Sequence, residues 1–255
     1  MNFVKDKLKS GKFTIGSWMQ IPNPSVAEIL ASAGFDWIAL DLEHGAFSLH
    51  LLPDIFRAIR IVGSLPFARV AQNHPKDIKQ ALDAGAAGII VPMIETAEQT
   101  RNFLSWSSYP PNGTRGVGYS NANLFGKHFD SYSRIINSDL VRIIQIESIK
   151  ALDEIDSILS VKGIDAMMIG PYDLSGSMGL TGQFDHPDFL KAVQDLQKAA
   201  ERNQIPLGTH VIQADFQKVR DEIRSGKKFI AYSTDAIMLN TQANLNFKEL
   251  DNLNS

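Results

Sequence analysis

Acidic side chains follow two successive apolar segments of this 255-residue chain, at positions where they could share a cation. Glu147 comes directly after a segment that ends at Ile146, and Asp173 follows the next apolar segment after a short GPY sequence. Two carboxylates without a thiolate form a hard oxygen site, which suits Mg²⁺ or Mn²⁺ and leaves positions for water and substrate. The alternative is that both residues are ordinary loop acids, with Asp173 capping a turn.

Arg69 lies inside the apolar segment PFARV, where an unpaired guanidinium group is costly and needs an anionic partner. One interpretation is an internal salt bridge with Asp41 or Glu43. The other is a clamp that binds a substrate carboxylate or enolate oxygen through the bidentate geometry of arginine. Position alone leaves both interpretations open.

Two histidines lie close to the carboxyl ends of apolar segments. His44 follows Glu43 after the second segment, and His210 lies near the end of the seventh. Neighbouring carboxylates hold the proton affinity of an imidazole near neutrality, so His44 is a candidate general base. The alternative for either residue is a structural histidine.

A barrel of parallel strands would bring these polar residues to one rim. Eight short segments are apolar at nearly every residue, which is typical of parallel strands buried on both faces, and amphipathic segments separate them. Catalytic residues of such barrels lie at the carboxyl ends of the strands. We therefore predict an α/β fold, a single (β/α)₈ TIM barrel over residues 1–255, with strands at 13–19, 37–42, 66–70, 88–93, 141–146, 166–169, 206–211 and 229–232.

Helix signals occur between these segments. Thr96 and Gln99 form a capping-box pattern, and residues 187–203 and 214–225 show clear helical patterns. The connection between the fourth and fifth strands is too long for a simple crossover. We predict an extended loop and helix insertion there, at about residues 106–138.

Composition excludes several classes of function. The formal net charge is −3, which provides no basic field for nucleic acid or anionic lipid. The absence of cysteine excludes disulfides, zinc–thiolate sites and a cysteine nucleophile. The first residues lack the apolar run of a signal peptide, so we expect a cytoplasmic protein without membrane partners. The predicted strand ends carry no lysine, which disfavours a Schiff-base aldolase and favours metal-assisted enolisation.

Seven ordered motifs occur between about residues 12 and 240. They are GSW (16–18), AGFDWIALDLEHG (33–45), PFARV (66–70), QALDAGAAGIIVPM (80–93), YPPNGTRGVG (109–118), QIES (145–148) and IGPYDLSGSMG (169–179). Together they resemble the motifs of the HpcH/HpaI aldolases. Members of this family are metal-dependent class II enzymes that cleave 4-hydroxy-2-oxo acids to pyruvate and an aldehyde.

The resemblance implies roles for individual residues. Glu147 and Asp173 would be the metal ligands, and a bound metal would polarise the 2-oxo carbonyl to form a metal-bound enolate. Arg69 would stabilise the developing enolate oxygen. His44 would move protons, and Asp83 would orient its imidazole.

The remaining predicted residues bind substrate. Gln145 would lie near the carboxylate of the oxo acid, and the backbone around Gly170 and Pro171 would line its pocket. Trp18 of the GSW motif and His210 complete the predicted set.

The resemblance also implies a cofactor and an assembly. The cofactor would be Mg²⁺ or Mn²⁺, with Co²⁺ as a third candidate, and the partners would be a small 2-oxo acid and an aldehyde. We expect a homo-oligomer in which the C-terminal helix is swapped between subunits, within a hexamer built as a trimer of swapped dimers.

Three segments depart from the family pattern. They are the polar loop GYSNANLFGKHF (118–129), Thr209 with His210, and Tyr232 with Ser233. We expect all three to add hydrogen-bonding groups near the mouth, and we hypothesise a sugar-derived 2-keto-3-deoxy acid as substrate. Two other functions stay open: a related metal-enolate lyase or synthase acting on oxaloacetate or an acyl-CoA, and a non-catalytic ligand-binding barrel.

Overall fold

Eight parallel strands close into a barrel in chain order, each strand pairing with the next and β8 pairing with β1. The computed structural model describes residues 2–251. All eight predicted strands are confirmed, and no strand end differs from its predicted position by more than two residues. They are Thr14–Met19 (β1), Trp37–Asp41 (β2), Leu65–Arg69 (β3), Gly88–Val91 (β4), Val141–Ile146 (β5), Ala166–Ile169 (β6), Leu207–Val211 (β7) and Phe229–Thr234 (β8).

Helices surround the strands and connect them. They are Phe3–Lys9 (α1), Pro24–Ser32 (α2), Leu52–Ile61 (α3), Pro75–Ala84 (α4), Ala97–Trp106 (α5), Phe129–Asp139 (α6), Ile149–Asp153 (α7), Ile155–Leu159 (α8), Pro171–Ser177 (α9), Pro187–Asn203 (α10), Phe216–Arg224 (α11) and Asp235–Asp251 (α12).

The helix boundaries follow from capping side chains. Thr96 and Gln99 form the predicted capping box at the start of α5, so both orphan backbone donors there are satisfied. His74 accepts a hydrogen bond from the Lys76 N–H at the start of α4. That helix ends at Gly85, whose φ of 114° is a left-handed conformation that favours glycine.

Stacked aromatic rings fill the interior of the barrel. Trp37 stacks on Phe229 with ring centroids 4.4 Å apart, and Phe67 packs against both rings, 5.5 Å from Trp37 and 6.2 Å from Phe229. A Cβ at Gly16 would lie 2.0 Å from the Trp37 ring, so only glycine leaves room for this indole. The interior is therefore a packed core and not a pore.

The amino end of the barrel is closed by α1. Lys5 lies there among buried residues, and its Nζ donates to the Leu140 carbonyl at 2.7 Å and to Asp165 Oδ2 at 3.1 Å. Burial lowers the pKa of Lys5, although the Asp165 carboxylate acts in the opposite direction. This arrangement leaves the carboxyl end of the barrel as the open face.

Candidate active site

A cavity of about 250 Å³ opens at the carboxyl ends of the strands. Eight of the ten predicted site residues line it, and the rest of its wall is largely apolar. A larger cavity of about 500 Å³ lies at the amino end and contains none of the predicted site residues. The predicted residues that line the smaller cavity, together with Arg69, are Trp18, His44, Gln145, Gly170, Pro171, Asp173 and His210.

Glu147 lies directly after β5 and is buried. Its Oε1 accepts a hydrogen bond from the Met93 N–H at 2.6 Å, and its Oε2 accepts one from Gln145 Nε2. Met93 has a left-handed φ of 52°, a strained conformation that directs its N–H toward the carboxylate. Burial raises the pKa of Glu147, and these two hydrogen bonds only partly oppose the effect. A nearby cation would oppose this effect, because a positive charge favours the ionised form of the carboxylate.

Asp173 lies in the first turn of α9, and its negative charge contributes to the raised pKa of Glu147. The two carboxylates are therefore close enough to interact. Gly170 precedes α9, and a Cβ there would lie 2.5 Å from Glu147 Oε2, so the glycine makes space for this carboxylate. Gln145 Oε1 is buried and accepts no hydrogen bond within the described residues.

These side chains fit a divalent cation. The two interacting carboxylates and the orphaned amide oxygen are hard ligands of the kind that Mg²⁺ and Mn²⁺ prefer. Within residues 2–251, no group of three or more His, Cys, Asp or Glu side chains is arranged to hold a metal ion. Substrate and water would therefore have to supply the other ligands.

Arg69 is anchored at the end of β3 by the residue beside it in register, Asp41 of β2. Its Nε and Nη2 donate to the two oxygens of the buried Asp41 carboxylate at 2.9 and 2.8 Å. Glu43 Oε2 lies 3.2 Å from the same Nε. Burial acts to raise the pKa of Asp41, but the hydrogen bonds and charge of Arg69 outweigh it and hold that pKa below its ordinary value.

The structure thus shows the salt bridge proposed for Arg69 and also leaves the guanidinium able to act on a ligand. Nη1 donates to no side chain or carbonyl in the described part of the chain, and the guanidinium lies 4.6 Å from the centroid of the Trp18 ring. Trp18 is buried, with Nε1 unpaired among the residues described. Both interpretations of Arg69 are therefore compatible with this geometry.

His210 lies near the end of β7, with its ring edge-on to Trp18 at 5.9 Å between centroids. Its Nε2 is 3.3 Å from the carbonyl oxygen of Ser233, which has a left-handed φ of 51° near the end of β8. Burial lowers the pKa of His210 to about 4, although the Ser233 hydrogen bond favours the protonated form.

His44 lies at the mouth of the cavity with more than half of its side chain exposed, and its Nε2 is 3.9 Å from Glu43 Oε2. The structure does not bring Asp83 to it. Asp83 lies in the last turn of α4, which runs antiparallel to the strands and ends near the amino face of the barrel. There it binds Arg115, whose Nη2 donates to Asp83 Oδ1 at 2.7 Å. Within one chain, Asp83 is therefore not placed beside His44, and its role as the partner of that imidazole stays a prediction.

The 118–129 loop and Tyr232 also lie away from the mouth of this chain. Asn121 of the 118–129 loop binds Arg57 and the Ala84 carbonyl beside the cavity at the amino end. Tyr232 packs outside the barrel against Phe35. The expectation that all three departures face the mouth is wrong, because Tyr232 and this loop lie outside the barrel wall. His210 is the departing side chain that does line the active-site cavity.

Sequence reasoning missed three groups at the site. Gln20 follows β1, lines the cavity and donates through Nε2 to Asp41 Oδ2 at 3.0 Å. Its position after a strand was a usable signal. The Met93 N–H and the Ser233 carbonyl depend on left-handed backbone at non-glycine residues, for which the sequence carries no signal.

Two further observations bear on the class of protein. No lysine lines the active-site cavity as far as the structure describes the chain. Of the helices in residues 2–251, none combines the length and the apolar character needed to span a bilayer.

A closed barrel with acids, an arginine and a histidine around one cavity at its carboxyl end has the architecture of a (β/α)₈-barrel enzyme. The family model described as "HpcH/HpaI aldolase/citrate lyase" matches residues 14–240. The chain belongs to this family, and the predicted family and aldolase class are confirmed.

Individual relatives match over nearly their full length. The hydroxypyruvate/pyruvate aldolase of Roseobacter denitrificans is 37% identical, over 94% of this chain and 94% of that protein. The 2-dehydro-3,6-dideoxy-6-sulfogluconate aldolase of Pseudomonas putida is 35% identical, over 93% of this chain and 92% of that protein. The crystal structure of an HpcH/HpaI family protein from Burkholderia cenocepacia superposes with a TM-score of 0.93 at 30% identity, covering 98% of this chain and all of that one.

Proposed function

We propose that this protein is a divalent-metal-dependent aldolase that reversibly cleaves a 4-hydroxy-2-oxo acid to pyruvate and an aldehyde. The observation that carries the proposal is the buried Glu147 carboxylate, whose pKa is raised, beside Asp173 and close to Arg69. A cation beside these two acids would favour their ionised forms, because it would oppose the burial and the mutual repulsion that raise the pKa of Glu147. The 2-oxo acid would complete the coordination.

Glu147 and Asp173 would hold the metal, and Mg²⁺ or Mn²⁺ suits their oxygen ligands better than Co²⁺ does. When bound, the cation supplies Lewis-acid polarisation of the 2-oxo carbonyl. Gln145 lies within hydrogen-bonding reach of Glu147 and fixes the orientation of that carboxylate. Gly170 and Pro171 line the adjacent wall, where a small planar oxo acid fits against the backbone.

Cleavage moves one proton and one electron pair. A base at the mouth, His44, accepts the proton of the C4 hydroxyl, the C3–C4 bond breaks, and its electrons form the enolate of pyruvate while C4 becomes the aldehyde carbon. The free Nη1 of Arg69 donates to the enolate oxygen, while Asp41 holds the other edge of the guanidinium in place. Return of the proton to C3 yields pyruvate.

Release of pyruvate from a 4-hydroxy-2-oxo acid tests the proposal, with lactate dehydrogenase as the coupling enzyme. The protein is stripped with EDTA and assayed with and without added Mn²⁺ or Mg²⁺. We expect metal-dependent release that Glu147→Gln abolishes, because the amide cannot supply a charged ligand. The matched control is Glu154→Gln, which removes an exposed acid seven positions further along the chain and should leave the rate unchanged.

This assay, together with assays on other substrates and a ligand-binding measurement, separates the alternatives. Release that is indifferent to EDTA would refute the metal-dependent mechanism. Activity on oxaloacetate or an acyl-CoA, without cleavage of any 4-hydroxy-2-oxo acid, would favour the lyase or synthase alternative. Metal-independent binding of ligands without turnover would favour a non-catalytic barrel.

We infer further that α12 packs against another copy of the chain. Asp235 anchors the first turn of α12 by accepting from the N–H groups of Gln20 and Ile21, yet Leu239, Leu245 and Phe247 further along are more than half exposed. Exposed apolar side chains of this size on α12 support the expected exchange of this helix between subunits. Light scattering should give an oligomer, and Phe247→Asp should weaken it; a monomeric wild type would contradict the inference.

A further inference from the structure

His210 lies between two cavities at the carboxyl end of the barrel. It lines the cavity that contains Arg69 and Asp173, and it also lines a neighbouring cavity of about 360 Å³ that extends toward Phe184 and Lys218. The oxo-acid end of a substrate would lie beside the carboxylates in the first cavity. The other half, which becomes the aldehyde, would then extend toward the His210 side of this cavity.

The backbone of β8 determines which nitrogen of His210 carries a proton. Nε2 is 3.3 Å from the Ser233 carbonyl oxygen, and a carbonyl can only accept, so Nε2 must be the donor. Ser233 has a left-handed φ of 51°, and β8 has a register shift against β1 at this level of the barrel. This local distortion of β8 directs the carbonyl toward the imidazole.

The other nitrogen, Nδ1, has no hydrogen-bond partner in the part of the chain that is described. Burial lowers the pKa of His210 to about 4, and the positive charge of Arg69 acts in the same direction. The ring is therefore neutral near pH 7, and Nδ1 carries a lone pair and no proton. A neutral imidazole with Nε2 occupied is an acceptor only.

We propose that His210 accepts, through Nδ1, a hydrogen bond from a hydroxyl group on the aldehyde half of the substrate, so that 2-hydroxyaldehydes are the preferred class. This inference rests on the proposed aldolase function. An alkyl group at the same place leaves Nδ1 buried without a partner, which costs binding energy. A carboxylate presents only acceptor atoms to an acceptor and is disfavoured as well.

Condensation of pyruvate with two aldehydes of similar size tests the inference. Glycolaldehyde carries a hydroxyl where propanal carries a methyl group, and the ratio of their kcat/KM values is measured for each enzyme. The variants are His210→Leu and His210→Phe, which remove both nitrogens, and His210→Gln, whose amide can donate to Ser233 and still accept. Thr209→Val is the matched control, because it removes a hydroxyl one residue away that lines only the neighbouring cavity.

We expect the glycolaldehyde-to-propanal ratio to fall about tenfold or more in the Leu and Phe variants, since a site built to pair a hydroxyl discriminates against its absence. The Gln and Thr209→Val enzymes should retain most of the wild-type ratio. Because each ratio is compared with that of the wild type, the intrinsic reactivities of the two aldehydes cancel. Circular dichroism verifies that each variant is folded, and the Phe variant keeps an aromatic ring against Trp18.

Two results would overturn the inference. If the wild type condenses both aldehydes and the ratio is the same in the Leu and Phe variants, His210 does not recognise a hydroxyl, and the aldolase function stands. If the wild type neither condenses any aldehyde nor exchanges the methyl protons of pyruvate, the proposed function fails together with this inference. A low ratio in the Gln variant, equal to that of the Leu variant, would also contradict the acceptor role.

Discussion

Gly170→Ala should damage the metal site while leaving the barrel folded. Gly170 has φ −94° and ψ 95°, which an alanine can adopt, so the substitution acts only through the added methyl group. That methyl would lie 2.5 Å from Glu147 Oε2, 2.9 Å from Glu147 Cβ and 3.0 Å from Gln145 Nε2. The Glu147 carboxylate must therefore move.

The geometry sets the size of the effect. Ordinary contact begins at 3.4 Å, so the carboxylate oxygen must retreat by about 0.9 Å, the difference between 3.4 and 2.5 Å. A displacement of about 1 Å in a catalytic group costs on the order of 100-fold in rate. A 100-fold loss of kcat/KM corresponds to about 2.7 kcal/mol of lost transition-state stabilisation. Crowding of a packed site lowers stability by about 1–3 kcal/mol, which a folded barrel tolerates.

Pyruvate release as a function of Mn²⁺ concentration measures this effect. We expect the alanine variant to need more metal for half-maximal activity and to have a lower rate at saturation. The control is Gly176→Ala on the same helix, α9, where the nearest atom, Thr181 Oγ1, is 3.6 Å from the added Cβ and no movement is needed. A Gly170→Ala enzyme with wild-type metal dependence and a rate within threefold would refute the placement of the metal at Glu147.

Other predictions concern stability and charge. The pKa of His210 falls from 6.5 to about 4 on folding, so the unfolded chain binds this proton more readily than the folded protein does. The contribution of the neutral His210 to stability is therefore present above pH 6.5 and is lost as the pH falls toward 4. Urea unfolding at pH 8 and at pH 4.5 should show that the wild type loses about 2.5 kcal/mol that His210→Leu does not lose. Asp41→Asn should lower the free energy of unfolding by about 3 kcal/mol and reduce kcat, because it leaves the Arg69 guanidinium without its charged partner; unchanged urea denaturation would contradict the buried pair. Lys5→Met should lower stability by about 2 kcal/mol with kcat unchanged, since Lys5 lies at the end of the barrel opposite the cavity; a parallel loss of kcat would argue against this separation.

The parts of the site that the sequence predicted are those set by the path of the backbone. Glu147 and Arg69 lie at the carboxyl ends of strands that were recognised by their apolar residues, and a closed parallel barrel brings all such ends to one rim. The same reasoning located Asp173 and His210. Because each depends only on distance along the chain from a strand, the periodicity of the sequence was sufficient to find them.

The parts that could not be predicted depend on contacts between distant segments. Asp83 pairs with Arg115, which lies 32 positions further along the chain, and no local pattern indicates this choice of partner. The Met93 N–H reaches Glu147 only because Met93 takes a left-handed conformation that residue type alone would disfavour. Tyr232 follows the alternation of β8 to the outer face, and a shift of one residue in the predicted strand would have reversed its direction.

Exchange of the methyl protons of pyruvate for deuterium, followed by proton NMR in D₂O, tests the central claim most directly. The measurement needs no aldehyde, so it isolates formation of the pyruvate enolate at Glu147, Asp173 and Arg69. We predict Mg²⁺-dependent exchange that EDTA removes, that added Mg²⁺ restores, and that Glu147→Gln and Asp173→Asn abolish. Exchange at the wild-type rate in the EDTA-stripped enzyme, or in Glu147→Gln with Mg²⁺ present, would contradict the claim that these carboxylates hold a metal that drives enolisation.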